Sequence, residues 1–299
     1  MVEAWYEMMD RATTSQQLAP LSRPVGQVEV RVKNLHKSFD RNYVLRGVNL
    51  EIARGEMLAI VGSSGCGKTV LLKHMIGHLQ PDQGRVLVAD HELPGAPLMD
   101  LTTLGPAEMD QLRRNWAVVF QRNALFTGTV YDNIGLVLED VKGMGEPEIR
   151  QRVRDVIQSV GLDPDQVPRM NREALSGGMA KRVAVARALS LDPLLVFYDE
   201  PTTGLDPEFA QRIQDLVQDV HNRKTSMGTQ RTTIIVTHDI GLLCRLQPRV
   251  VMLHQGLVLF DGPAEEFEKS KSPHIKPYLD LMPVLHRCER PTAATPPLP

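Results

Sequence analysis

Two hydrophobic rhythms alternate along the chain. Val28, Val30 and Val32 recur at every second position, and Val48, Leu50 and Ile52 repeat that pattern beyond a polar turn at Asp40-Arg41-Asn42. A period of two lines one face of a strand, so these segments predict two half-buried strands, close enough in sequence to pair antiparallel. Other runs are apolar throughout: Met57 to Val61, Trp116 to Phe120, Leu194 to Phe197 and Thr232 to Val236. They predict short buried strands. Arg85 to Ala89 predicts one more strand, and Val250 to Leu253 with Leu257 to Phe260, flanking His254-Gln255-Gly256, predicts a closing hairpin.

Helical spacing fills the intervals. Leu71, Leu72, Met75, Ile76 and Leu79 form one stripe, Ile149, Val153, Val156, Ile157 and Val160 a second, and Phe209, Ile213, Leu216, Val217 and Val220 a third. Pro106 opens a helix through Leu112-Arg113-Arg114, Ser176 and Asp206 are placed as N-caps, and Gly161 with Pro164 ends the second stripe. Asn133-Ile134-Gly135 reads as a loop or short helix. The pattern predicts an α/β core, an antiparallel β element beside the main sheet, and a helical insertion over residues 122–175.

The ends differ in character. Residues 1–27 read as a flexible lead-in, with a short helix around Trp5, Met8 and Met9 giving way to a Thr/Ser/Gln/Pro stretch. One folded unit is expected over 28–262, its helical part over about 122–190. Residues 263–299 form an extension: a short helix, the basic stretch Lys269 to His274, apolar positions Leu279, Leu281, Met282 and Leu285, and a Pro/Thr/Ala-rich end expected to be disordered.

Composition narrows the classes. With 299 residues and 42% hydrophobic content the chain can bury a large core, and a formal net charge of −2 gives no global attraction to nucleic acid. Cys66, Cys244 and Cys288 are sparse and carry no C-x-x-C spacing, which argues against a disulfide framework or a zinc site and for a reducing compartment. His74 and His78 stand four apart, a spacing that can bind metal, but no Glu or Cys completes a shell, so both are expected on the surface. No run reaches the roughly 18 apolar residues of a membrane span, and the acidic start is not a secretory signal. A soluble cytoplasmic protein is expected.

Candidate chemistry begins at Gly62-Ser63-Ser64-Gly65-Cys66-Gly67-Lys68-Thr69, which matches G-x-x-x-x-G-K-[ST] between a predicted strand and a predicted helix. Gly62, Gly65 and Gly67 let backbone N–H groups turn onto phosphate oxygens, and the helix that starts near Lys68 aims its positive end at the same anion. Lys68 would reach the β- and γ-phosphates and the Thr69 hydroxyl would hold Mg²⁺. The strand ending at Asp199 would bring that carboxylate to the metal, leaving Glu200 to orient and activate a water. Ser176-Gly177-Gly178 opens a second anion-receiving helix start. His238, at another strand end, is a candidate γ-phosphate contact. Phe39 is a candidate ring for stacking a base, although a core position suits its residue type better.

Together these residues make the chain resemble the ATP-binding subunits of ABC transporters, over roughly residues 28–262. Gly62 to Thr69 matches the Walker A motif, which with Val70 surrounds the phosphates, Gln121 the Q-loop, and Leu175 to Met179 the family signature. Leu194 to Glu200 matches Walker B, Gly204-Leu205-Asp206-Pro207 the D-loop, and His238 the switch histidine. The resemblance implies a P-loop NTPase (RecA-like) fold and two copies meeting head to tail. ATP and Mg²⁺ held by Lys68, Thr69, Gln121 and Asp199 of one copy would be covered by Ser176, Gly177 and Gly178 of the other. Asp206 would link the two sites. A separate membrane permease, with possible substrate-binding and small regulatory subunits, would place the ATPase on the inner face of the cytoplasmic membrane.

The run Leu175-Ser176-Gly177-Gly178-Met179-Ala180-Lys181-Arg182 is similar to the ATPases of Mla-type and mammalian-cell-entry-associated phospholipid transporters, as are Leu101 to Arg114 and Phe120 to Phe126. That implies a phospholipid or other hydrophobic substrate. A polar-solute importer is the alternative. A soluble ABC ATPase acting on nucleic acid or ribosomes would need a second phosphate loop or a long coiled coil, and neither is present in the sequence. In the lipid-transport relatives the tail can contact a neighbouring subunit, so Leu279 to Leu285 would either do so or pack on their own core.

Overall fold

The computed structural model describes residues 27–280, apart from 41, 122 and 123. The expectations for Trp5, Met8, Met9, Leu281, Met282, Leu285 and the Pro-rich end lie outside the described residues.

The alternating segments form β1 (Val28–Phe39) and β2 (Asn42–Ala53), paired antiparallel with Val30 opposite Ile52 and Val32 opposite Leu50. All four of these side chains are buried. β4 (Gln83–Ala89) joins β1, and the three-residue β5 (Leu98–Asp100) joins β4, giving a four-stranded antiparallel sheet in the order β2-β1-β4-β5. β5 is not among the expected strands, because three residues on a sheet edge carry too little alternation to show.

The apolar runs form the main sheet. β3 (Met57–Val61), β6 (Trp116–Val119), β7 (Leu195–Asp199) and β8 (Thr232–Val236) are joined by the hairpin β9 (Arg249–His254) and β10 (Leu257–Pro263). The order is β10-β9-β3-β8-β7-β6, parallel from β9 to β6, with only the β9–β10 pair antiparallel. Both faces are covered, which is why the runs are apolar without alternation. Ala59, Val61, Val196, Tyr198 and Ile235 face one core, while Leu58, Ile60, Leu195, Phe197, Ile234 and Val236 face the other.

The first core is closed by helices, in chain order after α1 (Lys68–Met75) and α2 (Pro106–Arg113): α3 (Val130–Lys142), α4 (Glu146–Ser159), α5 (Gly177–Ser190), α6 (Pro207–Asn222) and α7 (Ile240–Leu246). Short helices α8 (Ala264–Glu268) and α9 (Lys276–Asp280) follow β10. Asn133-Ile134-Gly135 takes the helical alternative and lies inside α3, whose 13 residues make it longer than expected. A reciprocal cap starts that helix, with Asp132 N–H donating to Thr129 Oγ1 at 3.1 Å and Thr129 N–H donating to Asp132 Oδ2 at 2.8 Å.

His74 is a correction, buried with 1% of its surface exposed and its Nδ1 2.7 Å from the Val70 carbonyl oxygen. His78 stacks on Phe120 instead, ring centroids 6.2 Å apart. Cys66 is a buried free thiol. Among the described residues no helix is long and apolar enough to cross a membrane, and no His/Cys/Asp/Glu cluster suits a metal ion.

Candidate functional site

Strand register brings the candidate residues to one edge. Ile60 pairs with Val236 and Val236 with Asp199, while Val119 pairs with Tyr198 one step below. Gly62, Gln121, Asp199, Glu200 and His238 therefore leave neighbouring strands within two residues of a common level. They emerge at the carboxyl ends of parallel strands, where open α/β sheets bind their ligands.

The loop after β3 needs its glycines for stated reasons. Gly62, at φ 141°, has no room for a side chain, since a Cβ there would lie 2.3 Å from the Leu253 carbonyl oxygen and 2.7 Å from Cys66 Sγ. Gly67, at φ 108°, stands at the N-cap of α1, which receives no side-chain hydrogen bond. Its N-terminal N–H groups are thus left for an anion. Lys68 is buried at the same point, Nζ donating to the carbonyl oxygens of Gly62 at 2.8 Å and Ser63 at 3.3 Å. Ser63, Ser64, Gly65 and Thr69 are exposed beside it and Val70 is half-buried. Burial pushes the Cys66 thiol up, against the pull of Lys68.

Asp199 ends β7 as a buried carboxylate whose Oδ1 has no hydrogen-bond partner. Burial pushes its pKa up, Glu200 adds to the shift, and Lys73, Lys181 and Lys68 oppose it. A buried oxygen left unpaired is costly. This unpaired oxygen suits a hard cation such as Mg²⁺, which takes carboxylate oxygens together with substrate phosphates.

Glu200 sits at φ 50°, a conformation that costs a non-glycine residue about 1–3 kcal/mol. Its N–H donates to the Val236 carbonyl oxygen at 2.8 Å, which holds the turn against β8. The strained backbone aims the carboxylate at the next strand end. There Glu200 Oε2 accepts from His238 Nδ1 at 2.8 Å, Thr203 Oγ1 at 3.2 Å and His238 N–H at 3.3 Å. A carboxylate on Nδ1 fixes the proton there and leaves Nε2 of the exposed imidazole to face a substrate.

Three residues that sequence reading passed over complete this corner. Asp239 caps α7 through Leu242 N–H, and its Oδ2 accepts from Thr202 Oγ1 at 2.8 Å and Gln214 Nε2 at 2.9 Å. The strand end carrying His238 is thereby tied to the loop before Asp206 and to α6. Asp206 itself is exposed and caps α6, accepting from Phe209 N–H at 3.1 Å. Gln121 is exposed past the end of β6.

The second helix start is built differently. Ser176 Oγ accepts from Met179 N–H at 3.2 Å, and Ser176 and Gly177 are exposed. Gly178 is buried, because a Cβ there would lie 2.9 Å from the Phe209 ring. Phe39, at the end of β1, is 43% exposed with Lys37 Nζ 5.5 Å from its ring centroid. It is an open ring rather than the core side chain its residue type favours.

Residues 45–203 match the family model described as ABC transporter. The chain belongs to the ABC transporter ATP-binding family. It is an ABC-type ATPase, which splits ATP with water into ADP and phosphate, on a P-loop NTPase fold with an antiparallel sheet and a helical part. This ABC ATPase is 33% identical over 255 residues to the histidine transport ATP-binding protein HisP of Pseudomonas aeruginosa, covering 84% of the chain and 97% of that protein. It is also 33% identical over 267 residues to Protein TRIGALACTOSYLDIACYLGLYCEROL 3, chloroplastic, of Arabidopsis thaliana, covering 85% and 74% respectively. Among solved structures, the dimeric post-hydrolysis state of the ATP-binding cassette MJ0796 bound to ADP and Pi superposes with a TM-score of 0.68. It is 28% identical and covers 79% of this chain and 98% of that one.

Proposed function

We propose that this ATPase works as a head-to-tail pair and drives a separate membrane permease, to which it binds at the inner face of the cytoplasmic membrane. The observation that carries this reading is the separation of the two anion-receiving helix starts. One is buried beside Lys68 and the Glu200–His238 pair, and the other is exposed at Ser176-Gly177. The dimeric cassette MJ0796 supports the pairing.

In this reading Lys68 and the loop N–H groups hold the β- and γ-phosphates and Phe39 stacks the base. Ser176, Gly177 and Gly178 of a second copy close over the γ-phosphate. Asp199, Thr69 and Gln121 would hold Mg²⁺, which supplies charge neutralisation on the phosphates. Glu200 accepts a proton from the water as its oxygen bonds to the γ-phosphorus and the bond to the β-phosphate oxygen breaks, releasing ADP. His238, positioned by the Glu200 carboxylate, contacts the γ-phosphate. Thr202, Gln214 and Asp239 carry the state of this corner to Asp206 and the opposite site.

For the cargo we favour a phospholipid or other hydrophobic molecule. The run from Leu175 to Arg182 with Met179 supports it, as does the name of the Arabidopsis relative. A polar amino acid is the second reading, favoured by the histidine-transport relative at the same 33% identity. Co-purification from membranes separates them: a permease with a lipid-binding partner is expected, and a polar-solute binding protein would overturn the lipid reading. For the motor itself, Glu200→Gln should keep ATP binding, lower phosphate release by at least about a hundredfold and accumulate a dimer on size exclusion. Undiminished hydrolysis would remove Glu200 from catalysis.

A further inference from the structure

Helix α5 carries a cation into the site as well as an anion-receiving start. Lys181, five positions after Ser176, is buried with 3% exposed, and its Nζ donates to the carbonyl oxygens of Phe120 at 3.0 Å and Gln121 at 3.3 Å. A buried ammonium is tolerated where acceptors meet its donors, and two backbone carbonyls do so here. Asp199 is the carboxylate that attracts it.

Two more cations extend the contact along the same loop. Arg187 Nη1, from the last turn of α5, donates to the Ala124 carbonyl oxygen at 2.7 Å, and Arg172 Nη1, just before α5, donates to that of Leu125 at 2.7 Å. The arginines hold the far end of the segment. Lys181 holds the near end, where the loop leaves β6. A neutral side chain of similar length could fill the space but could not satisfy both carbonyls with charged donors.

We infer that Lys181 is a positioning residue that locks the Gln121 backbone to the start of α5, so that Gln121 and Ser176-Gly177-Gly178 of one chain move as a single body. The inference rests on the metal-side role proposed above for Gln121. Movement of the second helix start toward a partner's ATP then displaces Gln121 at the chain's own site, which couples the two sites through a side chain instead of through the dimer interface alone.

The test uses the full-length chain with Lys181→Met, Gln121→Ala and the double variant. Amide hydrogen exchange of residues 119–126, read without nucleotide or metal, should quicken in Lys181→Met by roughly tenfold or more, the scale of a lost charged hydrogen bond. The Mg²⁺ concentration for half-maximal ATP hydrolysis should rise by about the same factor, and Lys181→Arg should restore most of it. In Mg²⁺ dependence the double variant should be no worse than Gln121→Ala, because Lys181 acts there only through the Gln121 side chain that it positions.

Unchanged exchange and unchanged Mg²⁺ dependence in Lys181→Met, beside an impaired Gln121→Ala, would overturn the inference and leave the role of Gln121 standing. So would additive effects in the double variant. Wild-type behaviour of Gln121→Ala would overturn the role of Gln121, and the inference with it. If Lys181→Met does not fold, the same cycle with Lys181→Gln decides by the same coupling.

Discussion

Helices α1 and α5 are both candidate anion receivers, and they begin in opposite ways. At α1 no side chain caps the first turn, and Gly67, Lys68 and Cys66 are buried around it. At α5 the Ser176 hydroxyl takes the Met179 N–H, and the start stands exposed. An uncapped, enclosed start keeps its donors for a ligand and supplies its own lysine. A self-capped, open start is stable alone and has little around it to recognise a ligand with. The pair contrasts a start built to bind a ligand by itself with one that, in the reading proposed above, acts on another molecule's ligand.

The sharpest break in that comparison comes from charge changes at each start. Gly177→Asp should lower ATP turnover by about a hundredfold, since it sets a carboxylate against the negative phosphates of the partner's site. It should leave the affinity of the isolated chain for ATP within about twofold. Lys68→Ala should instead weaken that affinity at least about thirtyfold, the usual cost of losing one partner of a buried charged pair. Calorimetric titration of both variants with ATP decides: equal losses would mean that both starts serve one ligand in one chain.

The two halves were also unequally legible in sequence. The loop from Gly62 to Thr69 and the caps at Ser176 and Asp206 are local chemistry, written in a few adjacent residues. The cap of α3 is just as local, in Thr129 and Asp132, but Asn133 and Gly135 are poor helix formers and obscure the helix behind it. What could not be read is what topology joins. Thr202 and Asp239 are 37 residues apart in sequence and Gln214 and Asp239 are 25 apart, and they meet only because β7 and β8 are neighbours. His74 has the residue type of a surface ligand, but the packing of α1 between the two sheets buries it. Lys181 gave one signal, a cation inside a helix whose neighbours Val183 to Ala186 are all buried, and nothing local says what it reaches.

A smaller effect tests the part of the enclosed half that lies outside the phosphate loop. Phe39 belongs to the antiparallel sheet, yet its open ring and the adjacent Lys37 suit a base. Phe39→Ala should weaken nucleotide binding by about tenfold, the usual value of one stacked base, and by a similar factor for ATP and GTP because every base has a π-face. Phe39→Trp should retain most of the affinity. An unchanged dissociation constant in Phe39→Ala, measured with a fluorescent nucleotide, would return the ring to a structural role on the sheet edge.

The smallest effect separates the two glycines of the open start. Sequence treats Gly177 and Gly178 alike, as residues that bare their N–H groups, but their surroundings differ. A Cβ on Gly177 meets nothing within 4 Å, whereas one on Gly178 lies 2.9 and 3.0 Å from carbons of the Phe209 ring. Phe209 opens α6 just after the Asp206 cap, so the missing side chain lets the starts of α5 and α6 touch. Gly177→Ala should raise stability by up to about 0.5–1 kcal/mol through the unfolded chain. Gly178→Ala should lower it by about 1–3 kcal/mol, the cost of overpacking a fixed contact. Chemical denaturation measures both. Phe209→Leu added to Gly178→Ala should recover part of the loss by removing the ring edge, which would show that the second glycine serves the seam between two helices of one chain before it serves any phosphate of another.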